Sequence, residues 1–177
     1  MGTGKLVLVD ESGEPLGEAD ELACHTGRGL LHLAFTVLLR DGKGDLVIQR
    51  RSADKRLWPL YWETTCSGHP RVNQDIREAA MGRLEEEMGL SATLDDAGRF
   101  LYRAEYEAEG VEWEVCHLMV GTCCDRGAAP DPGEVAEVRA VSPRELLGEL
   151  RRRAGEFAPW VLPALELWEK VVKLGRA

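Results

Sequence analysis

Short apolar runs broken by glycine-bearing turns fill the first half of the chain, a pattern that predicts strands rather than long helices. KLVLVD (5–10) reads as a strand, ESGEPLG as a turn, and EADELACH as one or two helical turns ahead of the loop HTGRG. LLHLAFTVLLR and DLVIQRR follow as two apolar strands, and their connection DGKG supplies the positive φ angles of a tight hairpin. After the loop RLWPLYW, the segment ETTCSGHP predicts a strand end that runs into a turn.

Helical spacing appears at Gln74–Met88, with Gly89 placed to end the helix in a left-handed conformation. Two strands are then predicted, one around RFLYRAEYEA and one at VEWEVCHLMVGTC, turning at Glu109 and Gly110. The loop DRGAAPDPGE leads to a short strand, EVRAVS, and Ser142 is placed to cap a helix starting at Pro143, with Glu145 near the capping-box position. PWVLPALELWEKVVKL closes the chain as an amphipathic helix. Interleaved strands, hairpins and helices predict an α/β (α+β) fold, a mixed β-sheet sandwiched between α-helices. With no repeat or linker, residues 1–177 are expected to form one domain.

Composition narrows the function classes. Lys+Arg 22 against Asp+Glu 31 gives a net charge of −9, so the surface repels phosphate backbones and no nucleic-acid partner is expected. The longest apolar run, Leu30 to Leu39, is interrupted by His32 and falls well short of the roughly 20 residues of a membrane span, so no membrane partner is expected. MGTGKLVLVDESG has neither the basic start nor the long apolar centre of a signal peptide, which predicts a cytoplasmic location. The five cysteines, Cys24, Cys66, Cys116, Cys123 and Cys124, lack C-x-x-C spacing and read as thiols without a disulfide framework; the last three sit in or beside an apolar strand.

Five residues invite a metal. His25 opens HTGRG, His32 follows on a strand and His69 lies in SGHP, while Glu112 and Glu114 alternate along VEWEV and so share one face of a strand. The strand alone favours a solvated edge. Three imidazoles with two carboxylates, however, suit one borderline divalent ion such as Zn²⁺, Mn²⁺ or Mg²⁺. His117 has the opposite parity and is expected on the other face. On the helix, Arg83 and Glu87 lie four residues apart on one side, as a weak ion pair or as a phosphate contact and an Mg²⁺ carboxylate. RRSADKR adds Arg50, Arg51, Lys55 and Arg56 as a local basic stretch in an acidic chain.

Taken in order, LVDESGEPLG, HTGRGLLHLAFTVLL, QRRSADKRLWP, SGHP, LEEEMG, LYRAEYEAEGVEWEVC and FAPWVLP resemble the type 1 isopentenyl-diphosphate Δ-isomerases, a branch of the Nudix superfamily. From Gly68 the Nudix signature runs on with Gln74 in place of its first glutamate and Gly82-Arg83 in place of its Arg-Glu pair, followed by Leu84-Glu85-Glu86-Glu87-Met88-Gly89-Leu90. That loss of carboxylates counts against diphosphate hydrolysis. The resemblance implies a Nudix-like fold and an isoprenoid diphosphate as the small-molecule substrate. It implies one divalent metal (Mn²⁺, Zn²⁺ or Mg²⁺) on His25, His32, His69, Glu112 and Glu114, and Mg²⁺ bridging the diphosphate through Glu87. It also implies diphosphate contacts from Arg51, Lys55 and Arg83, Trp160 beside the isoprenoid tail, and proton exchange on the acid side by Tyr102 and Glu114. Trp58 or Trp62 would add a π face for the tertiary carbocation. A monomer or weak dimer is expected.

Two positions depart from the family. Ser67 stands two residues before the histidine of the HP motif, where relatives carry a catalytic cysteine, and Cys66 lies one residue earlier. A hydroxyl is a much weaker proton carrier than a thiol. The sequence leaves open a naturally slow isomerase using Ser67 or water, a local shift that turns Cys66 inward, or a deliberate cysteine-to-serine replacement made to trap substrate. Glu21 stands where relatives usually offer a lysine to the diphosphate. The competing functions are a Nudix hydrolase of a nucleoside or isoprenoid diphosphate and a weakly active diphosphate-binding relative.

Overall fold

A computed structural model describes residues 4–123 and 128–174. Its strands are β1 (Lys5–Val9), β2 (Pro15–Asp20), β3 (His32–Arg40), β4 (Leu46–Arg51), β5 (Trp62–Glu63), β6 (Cys66–Gly68), β7 (Leu94–Tyr106), β8 (Gly110–Thr122) and β9 (Val135–Val141). The helices are α1 (Glu21–Cys24), α2 (Ile76–Met88), α3 (Pro143–Arg153) and α4 (Val161–Lys173).

β3 organises the sheet. It runs parallel to β8 over its whole length, from His32↔Glu114 to Arg40↔Thr122. It also pairs antiparallel with β4 at Leu39 and Arg40, with β6 from Phe35 to Val37, and with β1 at His32. The predicted β3–β4 hairpin therefore parts after two residue pairs, and β4 goes on to pair with β5 and β9. Alternation along the strands sorts the core into two layers. Phe35, Val37 and Leu39 of β3, Val47 of β4 and Met119 of β8 pack with Ala80, Leu84 and Met88 of α2. Leu38, Leu46, Ile48, Leu118 and Val120 face the opposite way and pack with α3 and α4 through Leu146, Leu150, Val161, Leu165 and Trp168. The sheet thus lies between α2 on one side and α3 with α4 on the other, as the apolar pattern predicts.

The helix ends follow the sequence closely, except that α2 begins at Ile76 rather than at Gln74. Asp75 accepts from the backbone N–H groups of Arg77 and Glu78 and starts α2, while Gly89 ends it at φ 61°. Ser142 caps α3 by accepting from the Glu145 N–H and donating to its carboxylate at 2.9 Å. The segment after β1 differs from expectation. Pro15–Asp20 is an exposed strand paired antiparallel with β1, and only Glu21–Cys24 is helical. An exposed edge strand buries no apolar face, so it leaves no period-two signal. Cys24, Cys66, Cys116 and Cys123 are buried, whereas Cys124 lies outside the described residues. Among the described residues no helix is long and apolar enough to cross a membrane.

Candidate active site

Glu112 and Glu114 project from β8 on the face that carries Leu118 and Val120 further along. His32 stands beside Glu114 in the parallel register, and Tyr102 of β7 is the antiparallel partner on the other side. His25 arrives from the end of α1, anchored where its carbonyl accepts from the Val111 N–H at 3.1 Å. That approach needs a glycine at 110, because a Cβ there would sit 2.5 Å from the His25 carbonyl oxygen. His69 follows β6. The imidazole centroids of His25, His32 and His69 lie 4.7–5.1 Å apart in every pairing.

One potential ligand atom from each of His25, His32, His69 and Glu112 falls within 4.8 Å of the others. Glu114 closes the group: one carboxylate oxygen is 2.8 Å from His69 Nε2 and 3.5 Å from His32 Nε2, and the other accepts from the Tyr102 hydroxyl at 2.7 Å. Second contacts fix two rings, with His32 Nδ1 2.8 Å from the Leu30 carbonyl and His25 Nδ1 3.2 Å from that of Val111. His32 Nε2 and Glu112 Oε2 are buried without a well-aligned hydrogen bond, although they lie 3.5 Å from Glu114 Oε1 and 3.0 Å from His25 Nδ1. Two orphaned donor atoms aimed into a cluster of imidazoles and carboxylates fit a divalent cation.

Burial and mutual repulsion push the Glu112 carboxyl up to about 7, Glu114 supplying the repelling charge. Burial acts on Glu114 in the same direction, but the neighbouring His32 imidazole and the hydrogen bond with His69 outweigh it and hold this carboxyl well below its usual range. Desolvation draws His69 down, only partly offset by Glu114. At His25 desolvation is outweighed by Glu112 and Glu114, which together raise it. The Tyr102 phenol, buried and facing Glu114, is pushed well above its ordinary value and keeps its proton.

The same cleft, about 720 Å³, continues from Glu112, Glu114 and Tyr102 past Ser67 to Lys55, Arg83 and Glu134. Lys55 Nζ and Arg83 Nη2 converge on Glu87, at 3.4 and 2.5 Å, and both also pair with Glu134, Arg83 at 2.9 Å. Glu87 is almost fully buried on α2, and its second oxygen accepts from Gln49 at 2.9 Å. Desolvation raises its carboxyl despite the neighbouring cations.

The NUDIX domain matches residues 30–161. An isopentenyl-diphosphate Delta-isomerase of Nocardia farcinica is 42% identical over 161 residues, covering 90% of this chain and 91% of its own. The chain belongs to the isopentenyl-diphosphate Delta-isomerase family within the Nudix fold. The relative of that name from Halorhodospira halophila is 33% identical, with 88% and 89% of the two chains covered. A Deinococcus radiodurans crystal structure shares the fold at 22% identity and TM-score 0.66, over 87% of this chain and 91% of that one. The MutT protein of Methanosarcina mazei Go1 shares it at 19% identity and TM-score 0.64, over 83% and 96%.

Among the residues singled out on family resemblance, His25, His32, His69, Glu112, Glu114 and Tyr102 come together at one end of the cleft, and Lys55, Arg83 and Glu87 at the other. Ser67 lines the cleft, its hydroxyl 3.0 Å from that of Thr36 and 3.2 Å from that of Thr64. Cys66 has the opposite parity on β6 and is buried in the core under α2, where desolvation pushes its thiol well up. Arg51 lines the cleft, and one N–H on each of its nitrogens is donated to the protein: Nε to the Trp58 carbonyl, Nη2 to that of Leu57 and Nη1 to Glu63, at 2.9–3.0 Å. Those bonds pin a loop in which Trp58 adopts φ 47°. Trp160 and Trp58 meet edge to face at 5.7 Å between centroids, whereas Trp62 lies under the Arg139 guanidinium. Glu21 pairs with Arg71 at 3.1 Å at the cleft margin. His117 faces away and bonds Asp96 at 2.7 Å, as its parity predicts. Sequence reading passed over Gln49, Glu63, Glu134, Thr36 and Thr64. Gln49 and Glu63 are polar residues at fully buried strand positions, but only the pairing of β4 with β5 reveals that burial.

Proposed function

We propose that this chain interconverts isopentenyl diphosphate and dimethylallyl diphosphate. The observation that carries this reading is the Glu114 carboxylate, bonded by His69 and Tyr102 with His32 3.5 Å away, at one end of a cleft whose other end brings Lys55 and Arg83 together. Moving the double bond requires a proton added to the terminal alkene carbon and another removed from C2, through a tertiary carbocation. An alkene is a weak base, so the acid must be strong, positioned and shielded from water.

Tyr102 and Glu114 form the acid side, with Tyr102 kept protonated and its O–H directed at Glu114 Oε2. Ser67 serves the opposite proton transfer, held by Thr36 and Thr64; Cys66, buried in the core, is left out of the reading. Lys55 and Arg83 bind the diphosphate, and Trp160 with Trp58 walls the isoprenoid tail. His25, His32, His69 and Glu112, with Glu114 beside them, would hold one divalent ion, Mn²⁺, Zn²⁺ or Mg²⁺, and Glu87 would hold Mg²⁺ against the diphosphate. Such ions supply charge that acidifies a bound group and neutralises phosphate oxygens. The absence of a membrane-crossing helix among the described residues fits work on a soluble substrate in the cytoplasm.

The deciding experiment incubates the purified protein with isopentenyl diphosphate and divalent metal in deuterated water. Deuterium in the allylic product is the expected result. Release of phosphate or pyrophosphate without deuterium incorporation overturns the reading in favour of a hydrolase.

A further inference from the structure

Glu63 is a buried carboxylate to which the chemistry above gives no part. It ends the two-residue strand β5, is 1% exposed and has every oxygen engaged. Oε1 accepts from Arg51 Nη1 at 2.9 Å and from Gln49 Nε2 at 3.1 Å, and Oε2 accepts from the indole Nε1–H of Trp160 at 3.2 Å. The Arg51 guanidinium carbon lies 5.3 Å from the centroid of the same Trp160 ring. Burying a carboxylate in a wall that an apolar side chain could seal is costly, so its placement calls for a reason.

We propose that Glu63 is a positioning residue that tunes Trp160 for a cation in the pocket. This rests on the isomerase reading, since only a reaction passing through a carbocation gains from it. Two effects act together. A carboxylate accepting the indole N–H pushes electron density into the ring and makes its face more negative, which strengthens its hold on a positive centre. Glu63 also neutralises Arg51, whose charge would otherwise stand unpaired against the same ring and repel a developing cation. Gln49 ties the arrangement to the diphosphate end, because its single amide nitrogen donates to both Glu63 and Glu87. Arg51 is then part of the tail wall, and Lys55 and Arg83 carry the anion.

The test compares two diphosphates of equal shape, one with a tertiary-ammonium tail and one with a neutral saturated tail, by calorimetry in Mg²⁺. The unaltered protein should bind the ammonium tail more tightly. Glu63→Gln should lower that preference by about tenfold while leaving the neutral-tailed affinity within about twofold, an outcome a merely structural role would not produce. An unchanged preference, or equal loss for both ligands, overturns the proposal. If the unaltered protein binds neither diphosphate, the isomerase reading itself fails and takes this inference with it. Should Glu63→Gln not fold, the unaltered protein still decides: the Trp160 indole proton, assigned with Trp160→Phe, should resonate downfield of the other tryptophans. A shift typical of a free indole overturns the proposal.

Discussion

Tyr102 and Glu114 are direct cross-strand partners on β7 and β8, and the phenol donates to the carboxylate at 2.7 Å. Their opposed shifts follow from that contact and from burial: Glu114 keeps its charge because His69 bonds it and His32 stands beside it, and Tyr102 keeps its proton because it is buried facing that charge. Removing the hydroxyl should therefore cost proton transfer rather than binding. Tyr102→Phe is expected to lower kcat by about 10² with little change in KM. The same variant should abolish the most alkaline step in the phenolate absorbance titration. A kcat within about threefold of the unaltered protein would remove Tyr102 from the acid side.

The cluster around His32 leads to a distinction between holding metal and using it. His69→Ala removes an imidazole that both bounds the cluster and bonds Glu114, so metal content after dialysis and isomerase activity should fall together. Glu114→Gln keeps four of the five groups and should abolish activity while most of the metal stays. Chelation of the unaltered protein should lower Tm. With free metal at a hundredfold above Kd the linkage is worth about 2.7 kcal/mol, roughly 5–10 °C for a chain of this size. Metal analysis and calorimetry on the same samples check all three outcomes.

The fold was legible because its signals are local. The Ser142 cap, Gly89 and the alternation along β8 each act within a few residues. The Glu112 and Glu114 face was legible for the same reason, since period two needs no partner strand. Residues whose role depends on a distant neighbour were not. Glu63 and Gln49 acquire theirs when β4 pairs with β5 and α2 packs above, and Glu134 when its loop meets Lys55 and Arg83. Family resemblance assigns Arg51 to the diphosphate, and only coordinates could reveal that it also donates to the carbonyls of Leu57 and Trp58 and to Glu63 from the cleft wall.

Glu134 holds the two cations that the proposed substrate would need. Burial tends to raise its carboxyl, but Lys55 and Arg83 outweigh that and lower it, so it stays charged at neutral pH. Its carboxylate thus competes with a diphosphate for the same donors. Glu134→Gln should lower KM for the diphosphate by roughly two- to fivefold with kcat little changed. Lys55→Ala should act the other way, raising KM by about tenfold and weakening its dependence on salt. Steady-state kinetics across ionic strength separate the two, and a higher KM in Glu134→Gln would mean that this carboxylate helps to bind the substrate.

On the outer side of the same sheet, His117 and Asp96 give a pH effect on folding alone. Burial tends to raise the Asp96 carboxyl, but bonds from His117 and the Gly98 N–H outweigh it and lower it below the ordinary range. A depressed carboxyl stabilises the fold above its unfolded value, and that contribution is lost as pH falls through the folded one. Asp96→Asn should cost up to about 1 kcal/mol at neutral pH, and the gap between the two proteins should close as the medium becomes acidic. Urea unfolding at a series of pH values reads this directly, and a gap that widened toward acid would contradict it.

In the proposed reaction Ser67 would set the speed at which this site works. Its hydroxyl lies within 3.2 Å of both Thr36 and Thr64, whose own hydroxyls are 2.5 Å apart, and Thr64 can pass a hydrogen bond on to the Cys66 carbonyl at 3.4 Å. The network holds the serine oxygen in place but includes no base to take its proton, and a hydroxyl gives up a proton far less readily than a thiol. Ser67→Cys should therefore raise kcat by at least about tenfold, with the gain growing toward alkaline pH as the new thiol ionises. Ser67→Ala distinguishes the serine from water: a loss of about tenfold or more assigns the proton transfer to its oxygen, whereas an unchanged kcat assigns it to solvent. Thr36→Val should lower kcat in the Ser67 protein and leave the Ser67→Cys variant largely unaffected, because a thiol relies less on neighbouring hydroxyls to hold its charge. Loss of turnover in Ser67→Cys would show that the cleft has been shaped around oxygen at this position.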